Sequence, residues 1–443
     1  MDAVTQAISQ FCQRLTHDSA NLWVAYSGGM DSHVLLHALA LAQSSLPQIK
    51  LKAIHVNHQL QDGSDQWARH CESACEALNV ACTVIDVEVD KDSGLSPEEA
   101  ARDARYAAIR QLISQDDYLL TAHHRNDQAE TVLLQLMRGA GVSGLSAMTQ
   151  IRQTAHYIHA RPLLSIPSES IKDYAEKHSL EWINDPSNLD TDIRRNYVRH
   201  EILPRLVEQW PNAEKLISNS ASHLENSKQL TDWYLSRDLL NVLDTTDVLD
   251  INKLTQYPVM VQEHLVRHWY QSLDLAQPGP DKLGIIFNEV IHAKQDAQPV
   301  LQWQSSQLLR ARNKLVLLPL WPDEKPMKWS GETEVNTNYW FISLSLPAKI
   351  DPSDIVISHG EYNFSIEVNG VNRRLKDLYK EKCIPAVLRP LIPVVYYHGK
   401  IVSVPNIYTD DMFEEVAVEF DFHRMGGQVN LSQQPLISVL SND

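Results

Sequence analysis

The chain has 443 residues, of which 43% are hydrophobic and 21% are charged. This composition is that of ordinary globular proteins, and it excludes a disordered chain and a disulfide-framed miniprotein. At roughly 150 residues per domain, the length predicts about three domains. There are 39 lysine and arginine residues against 56 aspartate and glutamate residues. The resulting net charge of −17 argues against a polyanionic partner unless basic residues cluster locally.

We expect a cytoplasmic protein with reduced thiols. No uninterrupted run of about 18 apolar residues occurs in the sequence, which therefore predicts no membrane-spanning helix. Residues 1–3 lack the basic-then-apolar layout of a secretory signal. The five cysteines are an odd number and include no Cys-x-x-Cys pair, which favours free thiols.

Strands and helices alternate over about the first 200 residues. The predicted strands are 22–26, 51–56, 82–89 and 118–122. The predicted helices are 31–41, 64–78, 97–113 and 126–137. This alternation predicts an α/β fold with a parallel, doubly wound sheet that has helices on both faces. Ligands of such sheets bind beyond the carboxyl ends of the strands.

The character of the sequence changes after residue 210. Residues 211–320 are predicted to form a mostly helical middle domain, in which 308–318 reads as one apolar strand. Residues 321–349 contain prolines 322 and 326 and are predicted to be a linker. Residues 350–443 are predicted to form a small α+β domain that ends in a loose polar tail from Met425.

A phosphate-binding loop is predicted where the first strand of the sheet meets a helix. The connecting hexapeptide is Ser27-Gly28-Gly29-Met30-Asp31-Ser32. Its glycines let the backbone turn tightly, and the helix offers unpaired N–H groups and the positive end of its dipole. The loop has neither the Walker nor the Rossmann glycine pattern. A bare Gly-Gly pair could simply cap a helix, but the full hexapeptide favours a phosphate cradle.

This hexapeptide resembles the pyrophosphatase loop of the N-type ATP pyrophosphatases, the PP-loop superfamily. Those enzymes activate a carbonyl oxygen by adenylation and release pyrophosphate. Further motifs resemble tRNA(Ile)-lysidine synthases, closely over residues 20–205, more loosely over 215–320 and clearly again over 370–405. These motifs are 96–106, 121–124 with Asp127 and 130–131, 138–141 with 144–145, 161–164, Asp185 with 187–188, 195–196 with Arg199, 375–378, 384–385 and Arg389.

The resemblance implies a ligase that uses ATP and Mg²⁺ to join L-lysine to C2 of the wobble cytidine of tRNA(Ile) with a CAU anticodon. The product, lysidine, would change codon reading from AUG to AUA. The resemblance implies a catalytic PP-loop domain at 1–210, substrate recognition by 211–320 and tRNA binding by 350–443. The sequence does not fix the oligomeric state, and a homodimer is compatible with it.

Glu98, Arg102 and Arg105 fall at positions i, i+4 and i+7, so one helix face would carry an acid and two guanidinium groups. A planar guanidinium suits a phosphate or a carboxylate. We therefore expect substrate contacts from this face, with Arg102 catalytic. The alternative is a solvated face held by salt bridges.

His123, Asp127 and Glu130 have the same spacing, at the junction of a strand and a helix. They would lie beside the phosphate loop, together with His124, if the two strands are neighbours in the sheet. They could bind a metal, transfer protons or orient lysine, or they could be loop histidines before a capped helix. We expect Asp127 to be catalytic.

The six residues 27–32 are expected to bind ATP, and Asp31, the carboxylate of the loop, is expected to be catalytic and to help hold Mg²⁺. His55, Asn57 and His58 end the second strand and could border the nucleotide pocket.

Two basic clusters are candidates for tRNA binding, because phosphate contacts require local positive charge. The first contains Arg195 and Arg199 with neighbouring arginines 194 and 205. The second contains Arg373, Arg374 and Lys376, followed by Lys380, Lys382 and Arg389. Each could instead be a solvated face.

Three other functions compete with the ligase. A tRNA thiolase of the same superfamily would need reactive cysteines or a cluster, and usually shows Cys-x-x-Cys pairs. A small-molecule synthetase would need a domain that supplies ammonia. A nucleotide sensor or tRNA-binding adaptor would not need the intact loop with Asp127.

Overall fold

The structure is a computed structural model, and it consists of two compact units, Met1–Thr231 and Asp232–Asp443, which we describe separately. The described residues are 2–15, 21–43, 49–58, 63–87, 97–154, 156–245, 247–273, 275–294, 297, 299–320, 327–328, 334–336, 340–345, 350–359, 364–368, 371–381, 384, 386–404, 407–410 and 417–422. The predicted tail from Met425 lies outside them, as do Ser96, Lys382 and the side chain of Glu98.

The first unit contains alternating strands and helices. Its elements are α1 (Ala3–Gln13), β1 (Asn21–Ala25), α2 (Met30–Gln43), β2 (Lys50–Asn57), α3 (Ser64–Ala77), β3 (Ala81–Asp86), α4 (Pro97–Arg110), β4 (Tyr118–Leu120), α5 (Arg125–Met137), α6 (Val142–Leu145), β5 (Ile151–Gln153), β6 (Ile158–Ala160), α7 (Ser168–Lys177), α8 (Arg194–Tyr197), α9 (Leu203–Gln209) and α10 (Ala213–Val242), the last of which continues into the second unit. A 3₁₀ turn covers Pro186–Leu189, and a π-helical stretch, Val198–Ile202, joins α8 to α9.

Among the described residues, six strands form one sheet in the order β3-β2-β1-β4-β6-β5. All neighbouring strands run parallel except β5, which pairs antiparallel with β6 at the edge. The predicted α/β fold with a parallel sheet is confirmed. In the register, Val24 of β1 lies opposite Ala53 on one side and Leu120 on the other. The loop after β1 therefore starts beside the residues that follow β4.

The core of this unit explains why β1 is central. Trp23 on one face of β1 is 8% exposed, and Leu22 and Val24 on the other face are 1% and 0% exposed, as expected of a strand covered on both faces. Leu22 and Val24 belong to a cluster with the apolar side of α2, including Val34 and Leu35. This packing fixes the start of α2, and with it the phosphate loop, against the carboxyl end of the sheet.

The second unit contains a larger share of β-structure. Its elements after α10 are β7 (Leu243–Thr245), β8 (Val248–Asp250), α11 (Ile251–Leu254), α12 (Val259–Ser272), α13 (Pro280–Ile285) with a π-helical continuation (Ile286–Ile291), β9 (Val300–Trp303), β10 (Ser306–Ala311), β11 (Lys314–Pro319), β12 (Met327–Lys328), β13 (Glu334–Asn336), β14 (Trp340–Ser345), β15 (Ile355–Ser358), β16 (Ser365–Val368), β17 (Val371–Arg374), α14 (Leu375–Glu381), β18 (Val394–Tyr397), β19 (Lys400–Val404), β20 (Tyr408–Thr409) and β21 (Ala417–Phe422), with 3₁₀ turns at Pro352–Asp354 and Ala386–Leu391.

The apolar run 308–318 is not one strand, and that prediction is wrong. It forms the antiparallel hairpin of β10 and β11, in which Ala311 pairs with Lys314. Arg312 at the turn has a positive φ of 52°, and Asn313, a common turn residue, follows it. In the part of the chain that the structure describes, β7, β8, β11, β10 and β9 form a sheet within the interval predicted to be mostly helical.

The strands β12, β13 and β14 lie within the interval predicted to be a linker. Val316 of β11 and Ile355 of β15 belong to one hydrophobic cluster within this unit. The domain boundaries proposed from the sequence stay predictions.

None of the helices in the described ranges is long and apolar enough to cross a membrane. The cytoplasmic location expected from the sequence stays a prediction.

Candidate nucleotide and catalytic site

The phosphate loop is held by its own two serines. The Ser27 hydroxyl lies 3.1 Å from the Ser32 hydroxyl, and the Ser32 hydroxyl donates to the carbonyl of Gly29 at 2.9 Å. The backbone N–H of Ser27 donates to the Ser32 hydroxyl at 3.3 Å. These bonds close the turn between β1 and α2, so that the loop lies at the N-terminus of a 14-residue helix. Residues 27–32 thus join a strand to a helix as the sequence predicts, and their binding of ATP stays a prediction.

Gly28 is required by both its backbone conformation and its surroundings. Its φ is +83°, and a Cβ there would lie 3.0 Å from Ile183 Cδ1 and 3.1 Å from Cys71 Sγ. Its carbonyl accepts a hydrogen bond from the N–H of Ile183 at 2.9 Å. The loop is therefore tied to the segment that follows α7.

Asp31 connects the loop to the residues after β4. Its Oδ2 lies 3.7 Å from Nε2 of His124, and the same nitrogen lies 3.5 Å from Asp127 Oδ2. The sequence places these residues together only if the strands before them are neighbours in the sheet. The pairing of β1 with β4 meets this condition. Asp31 Oδ1 is buried and has no hydrogen-bond partner within the described structure.

His124 and Asp127 also form the capping box of α5. The N–H of His124 donates to Asp127 Oδ2 at 2.9 Å, and the N–H of Asn126 donates to His124 Nδ1 at 3.3 Å. Asn126 in turn donates to Glu214 of α10 at 2.5 Å. The local turn thereby fixes the side chains of both candidate residues at the start of a helix.

Asp127 and Glu130 are paired with two arginines from the helical segment 194–209. Arg195 donates to Asp127 at 2.7 Å and to Glu130 at 2.8 Å. Arg199 donates to Asp127 at 3.0 Å and to Glu130 at 2.5 Å and 3.0 Å. Glu130 is fully buried, whereas the arginine side chains are 28% and 34% exposed. The two arginines predicted to bind tRNA are thus part of the carboxylate cluster.

The charges of this cluster perturb one another. Burial disfavours the charged form of His124, but Asp31 and Asp127 outweigh it and raise the pKa of His124 above its usual value. Burial likewise opposes ionisation of Asp127, but His124 and Arg195 lower the pKa of this carboxyl below its usual range. The cluster therefore stabilises the protonated form of His124 and the ionised form of Asp127 relative to the same groups in water.

The two arginines of the α4 face have different neighbours. Arg102 is exposed and lies 5.0 Å from the ring centre of Tyr106. Arg105 donates to Nε2 of His58 from Nε and Nη2, both at 3.2 Å. Burial, followed by the charge of Arg105, lowers the pKa of His58 to about 4. The sequence groups Arg102 and Arg105 on one face correctly, but it gives no signal for their different neighbours.

A cavity of about 430 Å³ opens beside the phosphate loop. It lies at the carboxyl ends of β1 and β2, where nucleotides bind in such sheets. Its lining joins apolar side chains to a few polar groups, as is typical of small-molecule sites. The lining residues are Ala25, Tyr26, Ser27, Ile54, His55, Val56, Asn57, His58, Ser64, Trp67, Ala101, Arg105, Ile109, Asp185, Ser187 and Ile193.

His123 does not join Asp127 and Glu130 in a metal site. Among the described residues no group of three or more His, Cys, Asp or Glu side chains could hold a metal ion. His123 Nδ1 instead lies 2.8 Å from the Thr121 hydroxyl, which lies 3.0 Å from His159 Nε2. Neither Thr121 nor His159 is expected from the sequence to interact with His123. The signal for His159 was a polar residue inside the apolar run of a short strand.

The late basic cluster, in the second unit, is partly neutralised. Arg373 pairs with Glu381, and Arg374 donates to Asp377 at 2.8 Å. Lys376 is exposed on α14. Arg389, counted in this cluster from the sequence, is 9% exposed and donates to the carbonyl of Ile384 at 3.2 Å and 2.9 Å, so it belongs to the interior.

Three family models match the chain. A PP-loop domain matches residues 1–206, a TilS substrate binding domain matches 249–316, and a TilS substrate C-terminal domain matches 355–419. These matches cover the phosphate loop, the carboxylate cluster and the late basic cluster.

The chain is also similar to curated proteins over most of its length. It is 35% identical over 402 residues to the tRNA(Ile)-lysidine synthase of Serratia proteamaculans, covering 88% of this chain and 92% of that protein. It is 34% identical over 431 residues to the tRNA(Ile)-lysidine synthase of Coxiella burnetii, covering 94% and 95%. Among solved structures, the U34-tRNA thiolase NcsA from Methanococcus maripaludis is 18% identical, with a TM-score of 0.42 over 50% of this chain and 78% of that chain.

Proposed function

Because the chain belongs to the family of tRNA(Ile)-lysidine synthases, we propose that it joins L-lysine to C2 of the wobble cytidine in tRNA(Ile) with a CAU anticodon. The cytidine C2 oxygen attacks the α-phosphate of ATP, and pyrophosphate leaves. The lysine amine then attacks C2, the bond from C2 to the adenylated oxygen breaks, and AMP leaves. The lysidine produced changes codon reading from AUG to AUA.

The observation that carries this proposal is the direct approach of Asp31 in the phosphate loop to His124, which in turn contacts Asp127. An ATP-activating loop and a group of charged side chains are thereby brought together at one edge of the sheet. Chemistry that adenylates one substrate and then adds an amine needs both in the same place, because proximity supplies a large part of such rate enhancements.

The loop residues 27–32 bind the phosphates of ATP. The hydroxyls of Ser27 and Ser32 and the N-terminus of α2 supply donors to anionic oxygens. Gly28 keeps side-chain atoms out of this loop. The adjacent cavity of about 430 Å³ accommodates the rest of the nucleotide.

Asp31 suits a magnesium ion bound together with ATP. Its Oδ1 is buried without a partner among the described residues, so an acceptor at this position lacks a donor or a cation. Mg²⁺ is usually held by one or two carboxylates together with phosphate oxygens and water, so a site without a protein cage is compatible with it. When bound, the ion would neutralise charge on the departing pyrophosphate.

Asp127 suits orientation of a cation better than proton abstraction. Its pKa is lowered by His124 and Arg195, although burial opposes this, and a carboxylate with a low pKa is a weak general base. It can therefore hold a lysine ammonium group or keep His124 protonated. Glu130 positions Arg195 and Arg199 from a fully buried site. Arg102, on an exposed part of α4, is available to an anionic substrate group.

tRNA binding is assigned to the second unit and to arginines of the first. Lys376, Arg373 and Arg374 lie together at the junction of β17 and α14 and supply local positive charge in an acidic chain. Arg195 and Arg199 retain partial exposure beside the carboxylates, so they can contact the anticodon while remaining paired. A homodimer and a cytoplasmic location remain part of the expectation from sequence.

The experiment incubates the protein with ATP, magnesium, L-lysine and tRNA(Ile) that carries CAU, followed by mass spectrometry of anticodon fragments. The expected result is a wobble cytidine whose mass has increased by the lysine adduct, with one pyrophosphate released per adduct. A matched tRNA whose wobble base is not cytidine serves as the control. Sulfur incorporation when a sulfide donor replaces lysine would instead support the thiolase, and pyrophosphate release without a modified nucleotide would contradict the ligase.

A further inference from the structure

A buried hydrogen-bonded chain leads from Arg161 to His123. Arg161 Nη1 donates to the carbonyl of Thr149 at 2.9 Å, and its Nη2 lies 3.2 Å from His159 Nδ1. His159 Nε2 lies 3.0 Å from the hydroxyl of Thr121, and that hydroxyl lies 2.8 Å from His123 Nδ1. Arg161, His159 and Thr121 are 7%, 6% and 8% exposed.

The positions of the hydrogens follow from the ends of this chain. A guanidinium can only donate, so His159 Nδ1 must accept from Arg161. The hydrogen of a neutral His159 then lies on Nε2 and is donated to the Thr121 oxygen. The Thr121 hydroxyl contacts no other acceptor among the described residues, so its single hydrogen is donated to His123 Nδ1. A neutral His123 then carries its hydrogen on Nε2.

Both imidazoles are held in the neutral form on which this order depends. Burial, followed by the charge of Arg161, lowers the pKa of His159 to about 3. Burial also lowers the pKa of His123, aided by Arg161, Arg195 and Arg102, although Asp127 acts in the opposite direction. The ring centres of Tyr106 and Tyr157 lie 6.1 Å and 6.3 Å from that of His159.

We propose that Arg161, His159 and Thr121 are positioning residues that fix the tautomer of His123, so that His123 offers its Nε2–H as a neutral hydrogen-bond donor to an oxygen of a substrate. Nε2 of His123 has no hydrogen-bond partner among the residues that the structure describes. The residue follows β4 and directly precedes His124, which contacts Asp31 of the phosphate loop.

The chemistry of the acceptor follows from the tautomer. A neutral N–H donor can bind a phosphate, carboxylate or carbonyl oxygen. It adds no positive charge that would compete with the arginines of the site for anionic groups. The inference rests on the proposed function, which supplies three substrates with such oxygens: the phosphates of ATP, the carboxylate of L-lysine and the C2 carbonyl of the wobble cytidine. Kinetic constants for each substrate distinguish these three sources.

The first test reads the tautomer directly. Two-bond ¹H–¹⁵N spectra of the full chain with labelled histidine are recorded at neutral pH, and the His123 signals are identified by their absence in His123→Gln. The expected wild-type result is hydrogen on Nε2 in both His123 and His159. Thr121→Val removes the hydroxyl at nearly constant shape, and it is expected to give a mixture of tautomers at His123. Thr121→Ser keeps the hydroxyl and is expected to retain the wild-type form.

A second pair of variants tests the far end of the chain. Arg161→Leu removes the donor to His159 and is expected to mix the tautomers of both histidines, whereas Arg161→Gln keeps an amide donor and preserves them. Hydrogen on Nδ1 of His123 in the wild type would overturn the proposal. So would an unchanged His123 tautomer in folded Thr121→Val.

Measurements of enzyme activity test whether the tautomer of His123 matters for the reaction. Lysidine formation in Thr121→Val is expected to fall by about 10- to 100-fold, as is common when the partner that orients a functional imidazole is removed, and Thr121→Ser is expected to stay near wild type. A rise in the apparent KM for ATP alone assigns the acceptor to a phosphate, a rise for lysine alone assigns it to the carboxylate, and a rise for tRNA alone assigns it to the cytidine C2 oxygen. Equal activity of the valine and serine variants would contradict the positioning role. If wild-type protein made no lysidine, the proposed function would fail, while the spectra would still decide the tautomer.

Discussion

Arg199 holds the fully buried Glu130 through both carboxylate oxygens, with Nε 2.5 Å from Oε1 and Nη2 3.0 Å from Oε2. A buried carboxylate of this kind depends on its partners, because removing one partner of a buried ion pair leaves an uncompensated charge. Arg195 also compensates this charge, because it donates to Glu130 and to Asp127. The pairing therefore links the stability of α5 to the geometry of the candidate catalytic residue Asp127.

Glu130→Gln is expected to lower the free energy of unfolding by about 3 kcal/mol, since two guanidinium groups lose their buried partner. Urea unfolding measures the change. Glu176→Gln is the matched control, because Glu176 is 59% exposed and pairs with Lys172 on the surface, where such a pair is worth less than about 1 kcal/mol. If both substitutions lowered the free energy of unfolding equally, the buried ion pairs of Glu130 would contribute no more to stability than a surface pair.

Asp31→Ala is expected to abolish ATP-dependent pyrophosphate release while the thermal midpoint stays near that of the wild type. The side chain is 41% exposed and its Oδ1 has no partner in the described structure, so its loss removes little packing. Asp103→Ala, on the exposed side of α4, controls for a general loss of negative charge. Normal release from folded Asp31→Ala would exclude its role in holding magnesium and phosphate.

Alanine substitutions at two glycines with positive φ distinguish the cost of backbone strain from the cost of a steric clash. At Gly139, with φ +69°, nothing lies within 4 Å of an added Cβ, so Gly139→Ala should cost about 1 kcal/mol of conformational strain alone. At Gly28 the added Cβ also meets Ile183 and Cys71. Gly28→Ala should therefore cost more stability and weaken ATP binding, which calorimetric titration measures. An ATP affinity that falls equally in both variants would contradict a specific role for Gly28.

His159 is expected to make the free energy of unfolding depend on pH in the acidic range. Its folded pKa of about 3 lies below the ordinary value of 6.5, so the unfolded chain takes up a proton first as the pH falls. The associated stability is present above about pH 6.5 and is lost as the pH falls toward 3, with a slope of up to about 1.4 kcal/mol per pH unit. His159→Gln should flatten the dependence of the unfolding free energy on pH between about 6.5 and 4.5. An identical slope in the variant would mean that this histidine titrates alike in both states.

The late basic cluster should carry part of the tRNA affinity. Lys376→Gln is expected to weaken tRNA binding and to reduce the slope of log affinity against log salt by about 0.7–0.9, the value for one phosphate contact. Arg373 and Arg374, which pair with Glu381 and Asp377, should have smaller individual effects. Lys172→Gln serves as a surface control, and ATP affinity should not change. An unchanged salt slope in Lys376→Gln would transfer the docking role to Arg195 and Arg199.

Short sequence motifs are enough to predict the phosphate loop. They do not predict ion pairs between residues that are far apart in the chain. The apolar strand before Ser27 and the glycines after it determine the turn within a few residues, so the sequence suffices there. The partners of Glu130 lie more than 60 positions away on another helix, and helical spacing alone cannot show that Arg195 and Arg199 meet it. The hairpin at Arg312 was missed because apolar residues continue on both sides of a two-residue turn, whose signal was Asn313 alone.

The hydrogen bond from the Ile183 amide to the Gly28 carbonyl makes one exchangeable hydrogen a reporter of the phosphate loop. Asp185 and Ser187, which line the nucleotide cavity, follow this amide within four positions. Opening of the loop must either break the bond or carry that segment with it. Deuterium uptake at Ile183 would therefore slow when nucleotide closes the loop, and it would do so whether or not tRNA or lysine is present.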